Sequence, residues 1–359
     1  MTDKIEDQAR EIVASRLPRR AVAQGVSLGA AAALLAGATR SAEAAGTGPF
    51  PKHPKWHFVF VNHVTTNPFF VPTQYGIHDA CKLLGCTSSW TGSQTSQVSK
   101  MVNAMDAAIA GKADAIAVSL IDNTAFNKPT DRALKAGIPV FSYNADAKDN
   151  NRLAYIGQDL YLAGKQMGER IIDLVGSGEV ALFIATPGQL NIQPRINGAA
   201  DALKKHGKIK YHEIASGAKV NEELTKIKAY YLGHQHINGM FAVDAGSTQG
   251  VAEVMREFNL PKKGIHGGGF DLLPKTLQLI NEGYLDFTID QQPYLQGFYT
   301  VMEMFLWKAS GGLVGPANIN TGLKFVTKTS VTPYLNTHTR YEGSASKPQI
   351  VPHKGPIGT

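Results

Sequence analysis

The sequence predicts an α/β protein of two Rossmann-like, three-layer lobes with parallel sheets, joined by a multi-strand hinge. Three observations carry this. Short apolar runs alternate with amphipathic segments of helix length along most of the chain, the pattern of parallel strands covered by helices on both faces. The alternation then starts afresh, which implies two similar lobes. The last elements are one or two units too many for either lobe, so the chain is expected to cross between lobes more than once.

The first series contains the strand-like runs "WHFVFVN", "CTSSWT", "DAIAVSL" and "IPVFSYN". Between them lie the helix-like segments "PFFVPTQYGIHDACKLL", "QVSKMVNAMDAAIAG" and "AFNKPTDRALKAG". Two of these helices run into glycine, Gly111 and Gly137, where C-caps are expected. The second series opens with "LAYIGQD" and continues through the strands "EVALFIA", "KIKYHEI", "INGMFAV" and "GIHGGGFD" with helices between them. The surplus elements are "DFTIDQQ", the helix "PYLQGFYTVMEMFLWKAS" and "TGLKFVTK". The expected boundaries are 53–157 plus 292–320 for the N-terminal lobe and 158–291 plus 321–335 for the C-terminal lobe. A peripheral tail follows over 336–359, where the pattern fades into polar, Pro and Gly residues.

Residues 1–45 read as an export signal. Arg19 and Arg20 precede the mildly apolar run "AVAQGVSLGAAAALLAGA", and a small-residue cleavage region with Ala42 and Ala44 follows. The arginine pair points to the twin-arginine route and a periplasmic destination. A membrane anchor would need about 20 strongly apolar residues, whereas this run holds Gln24, Ser27 and several glycines. No cysteine lies near the cleavage region, so no lipid anchor is expected.

The 359 residues are 43% hydrophobic and 18% charged, which is a globular composition long enough for two lobes. The formal charge of +7 comes from scattered Lys and Arg, without an aromatic-interleaved stripe. A solvated basic surface is expected, and no nucleic acid. The two cysteines, Cys81 and Cys86, could pair in an oxidising compartment or stay as buried thiols. They lack companions at metal-ligand spacing.

Catalytic and cofactor motifs find little support. "GQDLYLAGK" has the wrong spacing for a phosphate loop and no Ser or Thr after the lysine. "GGGFD" over 267–271 ends a strand and lacks dinucleotide spacing. His234 and His236 in "HQH" have no carboxylate at ligand spacing and read as a solvated turn. No nucleophile elbow or Cys–His pattern is present. No catalytic residue, metal or cofactor is assigned.

The carboxyl ends of the strands are more informative, because ligands of open parallel sheets bind just beyond them. Those ends carry Asn62 and His63, Trp90, Tyr143 and Asn144, Asp244, Asp271, and Gln291. One Asp at a strand end is an ordinary helix N-cap. Six such ends with hydrogen-bonding or aromatic groups describe a site for a hydroxyl-rich ligand, with flat rings for its C–H faces. After the first strand, "VNHVTTNPFF" sets Asn67 as an N-cap and Pro68 as the first helical residue. That removes a backbone donor an anion would need, so the stretch reads as a grip on a neutral ligand.

With these residues in view, the chain resembles the periplasmic sugar-binding proteins of the ribose-binding type, the exported receptors of ABC importers. The resemblance spans roughly 55–330 and rests on "TTNPFF", "AGIPVFSYNAD", "PRINGAADAL", "MFAVDAGSTQG", "GGGFD" and "DQQPYLQG" in this order. It implies the type I periplasmic binding protein fold, no enzymatic activity, a monomer, and a permease partner in the inner membrane. The implied ligand contacts are Asn67, Phe69, Phe70, Asn144, Arg195, Asp244, Asp271 and Gln291. His63 falls where a small polar residue is common, Asn144 where an Asp is, Ala145 where ribose binders have Arg, and Asp244 where Asn is usual. Val220 falls near a position that is often aromatic. Losing the Asp-Arg pair at 144 and 145 argues against ribose. A pentose, a hexose or an acyclic sugar alcohol remains, and the weakened ring-binding set inclines the expectation towards a small polyol. A chemotaxis or sensor-kinase receptor and an exported carbohydrate enzyme are the alternative roles. A LacI-type regulator would need a DNA-binding head where the export signal stands.

Overall fold

The computed structural model describes residues 52–312 and 315–335. The expected export signal and C-terminal tail lie outside the described residues. Two six-stranded sheets form within the compact unit that begins at Lys55. The first contains β1 (His57–Asn62), β2 (Thr87–Gly92), β3 (Ala115–Val118), β4 (Val140–Tyr143), β5 (Tyr155–Gly157) and, from the surplus elements, β11 (Asn318–Asn320). Their order is β11-β5-β4-β3-β1-β2, and every pairing is parallel. The second contains β6 (Gly178–Ile184), β7 (Ile209–Ala215), β8 (Gly239–Ala242), β9 (His266–Phe270), β10 (Phe287–Asp290) and β12 (Lys324–Thr327). It runs β12-β10-β9-β8-β6-β7, parallel except where β12 returns antiparallel to β10.

Side-chain alternation along β1 shows why both faces are covered. Phe58 and Phe60 enter one core, with Ile77, Ala80 and Leu84 of α1 (Val71–Leu84) and Val301, Met304 and Phe305 of α9 (Pro293–Ser310). Val59 and Val61 enter the other, with Met101 and Met105 of α2 (Val98–Ala110) and Ala133 of α3 (Asn127–Lys135). Burying each such Phe or Val contributes about 1.5–3 kcal/mol, so a one-residue slip in register would forfeit both cores. The second sheet repeats the arrangement. Val180, Leu182 and Ile184 meet α4 (Leu160–Val175) and α5 (Gln193–His206). Ala181 and Phe183 face the side of α6 (Val220–Gly233), α7 (Ala245–Glu257) and α8 (Pro274–Glu282).

The late helix α9 is clamped to α1 by two glycines. A Cβ on Gly76 would stand 2.1 Å from the Tyr294 carbonyl oxygen, and one on Gly297 would stand 2.2 Å from that of Thr73. Neither gap admits a side chain, so the helices meet backbone to backbone. The chain passes between the two sheets at 158–159, 291–292 and 321–323, which makes the hinge three-stranded.

Gly111 caps α2 as expected, its amide donating to the Ala107 carbonyl. Gly111 keeps a right-handed φ of −73°, and the left-handed residue after α2 is Lys112, with φ of 54°. Gly137, with φ of 77°, does take the left-handed conformation. Cys81 and Cys86 are buried free thiols, and burial pushes both up to about 11. No helix among the described residues is long and apolar enough to cross a membrane.

Candidate ligand-binding cleft

The first wall of the cleft begins where β1 ends. Asn62 Oδ1 accepts from the Val64 amide at 2.8 Å and turns the chain there. His63 then stands between two partners, Ser119 Oγ at 3.0 Å from Nδ1 and Asn191 Nδ2 at 3.1 Å from Nε2. With the Asn191 amide nitrogen donating to Nε2, the ring proton sits on Nδ1 and is donated to Ser119. Burial holds the imidazole neutral by lowering its pKa to about 3. Asn67 Oδ1 accepts from the Phe69 amide at 3.0 Å, capping a short helical turn that starts at Pro68. That turn presents Phe69 and Phe70 edge to face, with ring centroids 4.7 Å apart. Asn144, at the tip of β4, adopts a left-handed φ of 64°, a conformation Asn tolerates better than most residues. Its Nδ2 donates to Gln296 Oε1 at 3.2 Å.

The second wall carries the charge. Arg195 on α5 is 2% exposed, and its guanidinium donates to the Val243 carbonyl at 2.8 Å and to Gln158 Oε1 at 3.0 Å. It lies 4.1 Å over the Phe270 ring. Asp271 follows β9 with φ of 76°, and its Oδ1 accepts from Gln291 Nε2 at 2.6 Å. Burial raises Asp271 to about 7, against the opposing pull of Arg195 and Gln291. Asp244 is the N-cap of α7: Oδ1 accepts from the Ser247 amide, while Oδ2 accepts from Ser247 Oγ and the Ala185 amide, each at 2.9 Å. Glu223, in the first turn of α6, is 4% exposed and lies beside Asp244.

The walls are latched across the opening. Ser96 Oγ donates to Gln189 Oε1 at 2.7 Å, Gln189 Nε2 donates to the Ser96 carbonyl at 3.2 Å, and the Leu190 amide donates to the Ile121 carbonyl at 3.0 Å. Together with His63–Asn191, these bonds tie the loop before α5 to the first lobe, so the structure is the closed form. The cavity left between the walls is small, about 60 Å³. Among the described residues, six buried side-chain polar atoms lack a hydrogen-bond partner. Three of them, Asn191 Oδ1, Arg195 Nε and Glu223 Oε2, belong to residues lining this cleft. An unmade bond at such an atom costs about 1–3 kcal/mol, which a hydroxyl-bearing ligand can recover.

Of the residues read from the sequence, His63, Asn67, Phe69, Phe70, Asn144, Arg195, Asp244, Asp271 and Gln291 line the cleft. Asn62, Trp90 and Tyr143 do not, and the reading is corrected there. Asn62 Nδ2 donates to the Tyr143 hydroxyl at 2.9 Å, and Trp90 packs on Phe60, Phe70 and Tyr143 while its Nε1 donates to the Thr65 carbonyl. These three support the wall from behind. Val220 opens α6 without lining the cleft. Ala145 is packed in the core of the first lobe. Sequence reasoning missed Ser96, Gln189, Asn191 and Glu223. Among the described residues no cluster of His, Cys, Asp and Glu is placed to hold a metal. His234 and His236 are exposed, the former stacked on Tyr230.

A family model described as a periplasmic binding protein domain matches residues 58–307. The chain is 53% identical over 314 residues to the xylose/arabinose-binding protein XylF of Sulfolobus acidocaldarius, covering 83% of this chain and 77% of that one. Among solved structures it is similar to an ABC transporter solute-binding protein of Burkholderia graminis in complex with D-arabinose. There the TM-score is 0.74 at 29% identity, covering 79% of this chain and 99% of the other. A similar protein solved as a XylFII–LytSN complex gives a TM-score of 0.72 at 25% identity, covering 77% and 100%.

Proposed function

The chain belongs to the periplasmic binding protein family, and from that premise we propose that it is the sugar receptor of an ABC importer that closes on one aldopentose. The family places it outside the cytoplasm. The observation that carries the ligand reading is the closed cleft itself, with aromatic rings on one wall and three unpartnered polar atoms among its lining residues. A pyranose ring offers C–H faces to Phe69 and Phe70, and its hydroxyls can both donate to Asp271 and accept from Arg195 Nε. No step of bond making or breaking is required of these groups.

The choice of a pentose over a polyol is supported by two findings. The 53%-identical relative is named for xylose and arabinose, and Ala145, one of the two positions whose missing charge inclined the sequence reading to a polyol, is packed in the core and does not line the cleft. Delivery to a membrane permease, export by the twin-arginine signal to a periplasmic or equivalent space, and a monomeric state complete the proposal. A second role, docking of the closed form on a sensory partner, is supported by the similar protein solved with LytSN.

A thermal-shift panel of aldopentoses, hexoses and sugar alcohols tests the ligand. Occupancy at about 100 times Kd stabilises by about 2.7 kcal/mol. Xylose and arabinose are expected to give the largest shifts. A larger shift with xylitol or arabitol would restore the polyol reading, and no shift with any carbohydrate would overturn the proposal.

A further inference from the structure

Glu223 occupies a position that packing has prepared for it. A Cβ on Gly246 would stand 1.7 Å from Glu223 Oε2, so the carboxyl group fills the space a side chain would take. The residue is 4% exposed, and Oε2 is buried with no donor directed at it. Its neighbour Asp244 is in the opposite situation, with both oxygens receiving donors from Ser247 and Ala185. The two carboxyl groups lie within hydrogen-bonding reach of each other and both line the cleft. Two buried carboxylates side by side cannot both ionise at low cost. One proton placed on Glu223, whose Oε2 has no partner, relieves the repulsion and gives that oxygen a bond to make, although Ser247 also donates to this carboxyl and opposes the protonation.

We propose that Glu223 is a specificity-determining ligand contact, which shares one proton with Asp244 and presents the resulting acid–carboxylate pair to a single hydroxyl of the sugar. This rests on the sugar-binding reading above. The paired state offers a fixed edge of acceptors to the ligand, backed by a donor that is already committed to Asp244. A hydroxyl in the wrong configuration leaves that edge unmatched, so the pair discriminates between epimers. The other charged groups around it are Glu222 on the same helix turn, itself paired with Lys219, and Arg195 and Asp271 in the cleft. Burial, with Asp244 beside it, pushes Glu223 up to about 10, and burial also raises Asp244 while the donors from Ser247 and Ala185 oppose that rise.

The sign of the linkage gives a test that needs no ligand. Between 4.5 and about 10 the folded chain holds a proton on Glu223 that the unfolded chain has lost. Stability from this group therefore falls as pH rises through that window. E223Q keeps a donor for Asp244 without needing a proton. In thermal denaturation of the unliganded full chain, E223Q should match wild type near pH 4.5 and exceed it by about 5 °C or more near pH 9. A difference that does not change with pH overturns the shared proton.

Titration with D-xylose and its epimers tests the contact. E223A should weaken the preferred pentose about tenfold or more and narrow the gap between epimers, and E223Q should recover most of that loss. As pH rises towards about 10, well beyond the Asp271 range, wild type should lose affinity while E223Q stays level. Unchanged affinity and unchanged epimer preference in E223A overturn the contact. If wild type binds no pentose, the sugar reading fails instead, and the unliganded pH series still decides the proton.

Discussion

The side-chain amide of Gln291 donates to the Asp271 carboxylate at 2.6 Å, and Gln291 Oε1 in turn accepts from Gln296 Nε2 at 3.0 Å. Gln296 Oε1 accepts from Asn144. The chain of bonds therefore runs from the second sheet, through a hinge segment, to a strand tip of the first. It fixes the ligand-facing carboxylate against the same residues that join the two lobes. Gln296→Leu should leave Gln291 Oε1 and Asn144 Nδ2 without these partners, on residues only 2% and 5% exposed. The expected cost is about 1–3 kcal/mol in ligand affinity, a roughly 5- to 150-fold rise in Kd measurable by calorimetry. A Kd within twofold would mean the relay is not part of the closed site.

Asp271 should release a proton on binding. Its carboxyl is raised by burial to about 7, so near neutral pH a good fraction carries a proton in the free protein. Sugar hydroxyls donating to it favour the charged form and lower that value. Titrations at pH 7 in buffers of different ionisation enthalpy should differ in heat by a fraction of one proton, and Asp271→Asn should abolish the difference. Buffer-independent heats in wild type would contradict the assignment.

His63 should make the fold acid-sensitive. Its folded value, about 3, lies below the ordinary histidine value of 6.5, so the unfolded chain binds the extra proton between them. Stability from this group is present above 6.5 and lost as pH falls towards 3, at up to about 1.4 kcal/mol per pH unit. His63→Asn should flatten the melting temperature across that interval. A profile as steep as wild type would place the acid sensitivity elsewhere.

The pair His63–Asn191 bridges the cleft at 3.1 Å, so its energy should appear in closure. A double-mutant cycle of His63→Ala and Asn191→Ala, read as sugar affinity, should give a coupling of about 0.5–2 kcal/mol. Additive effects would show that the contact does not stabilise the closed form.

Much of this was legible in the sequence because parallel sheets announce themselves by alternation and bind beyond their strand tips. His63, Asn144, Asp244, Asp271 and Gln291 were found by that rule. The same rule overreached at Asn62 and Tyr143. Asn62 shares its side of β1 with Phe58 and Phe60, and Tyr143 packs against Phe60, so both point into the core under α1 and α9. Reading a strand to its tip says nothing about which face the tip presents. Ser96, Gln189 and Asn191 escaped because they come from loops that meet only on closure. Glu223 escaped because an acidic residue in the first turn of a helix is ordinary dipole chemistry. Its burial depends on Gly246, twenty-three positions away in sequence.

The central claim, a closed cleft built for one aldopentose, is tested most directly by calorimetric titration of the purified chain with D-xylose, L-arabinose, D-arabinose and xylitol. The account predicts one site per chain and an aldopentose that binds at least about tenfold more tightly than xylitol, one lost hydroxyl match costing about 1–3 kcal/mol. Xylitol binding as tightly as the best pentose, or no binding heat with any of the four, would contradict it.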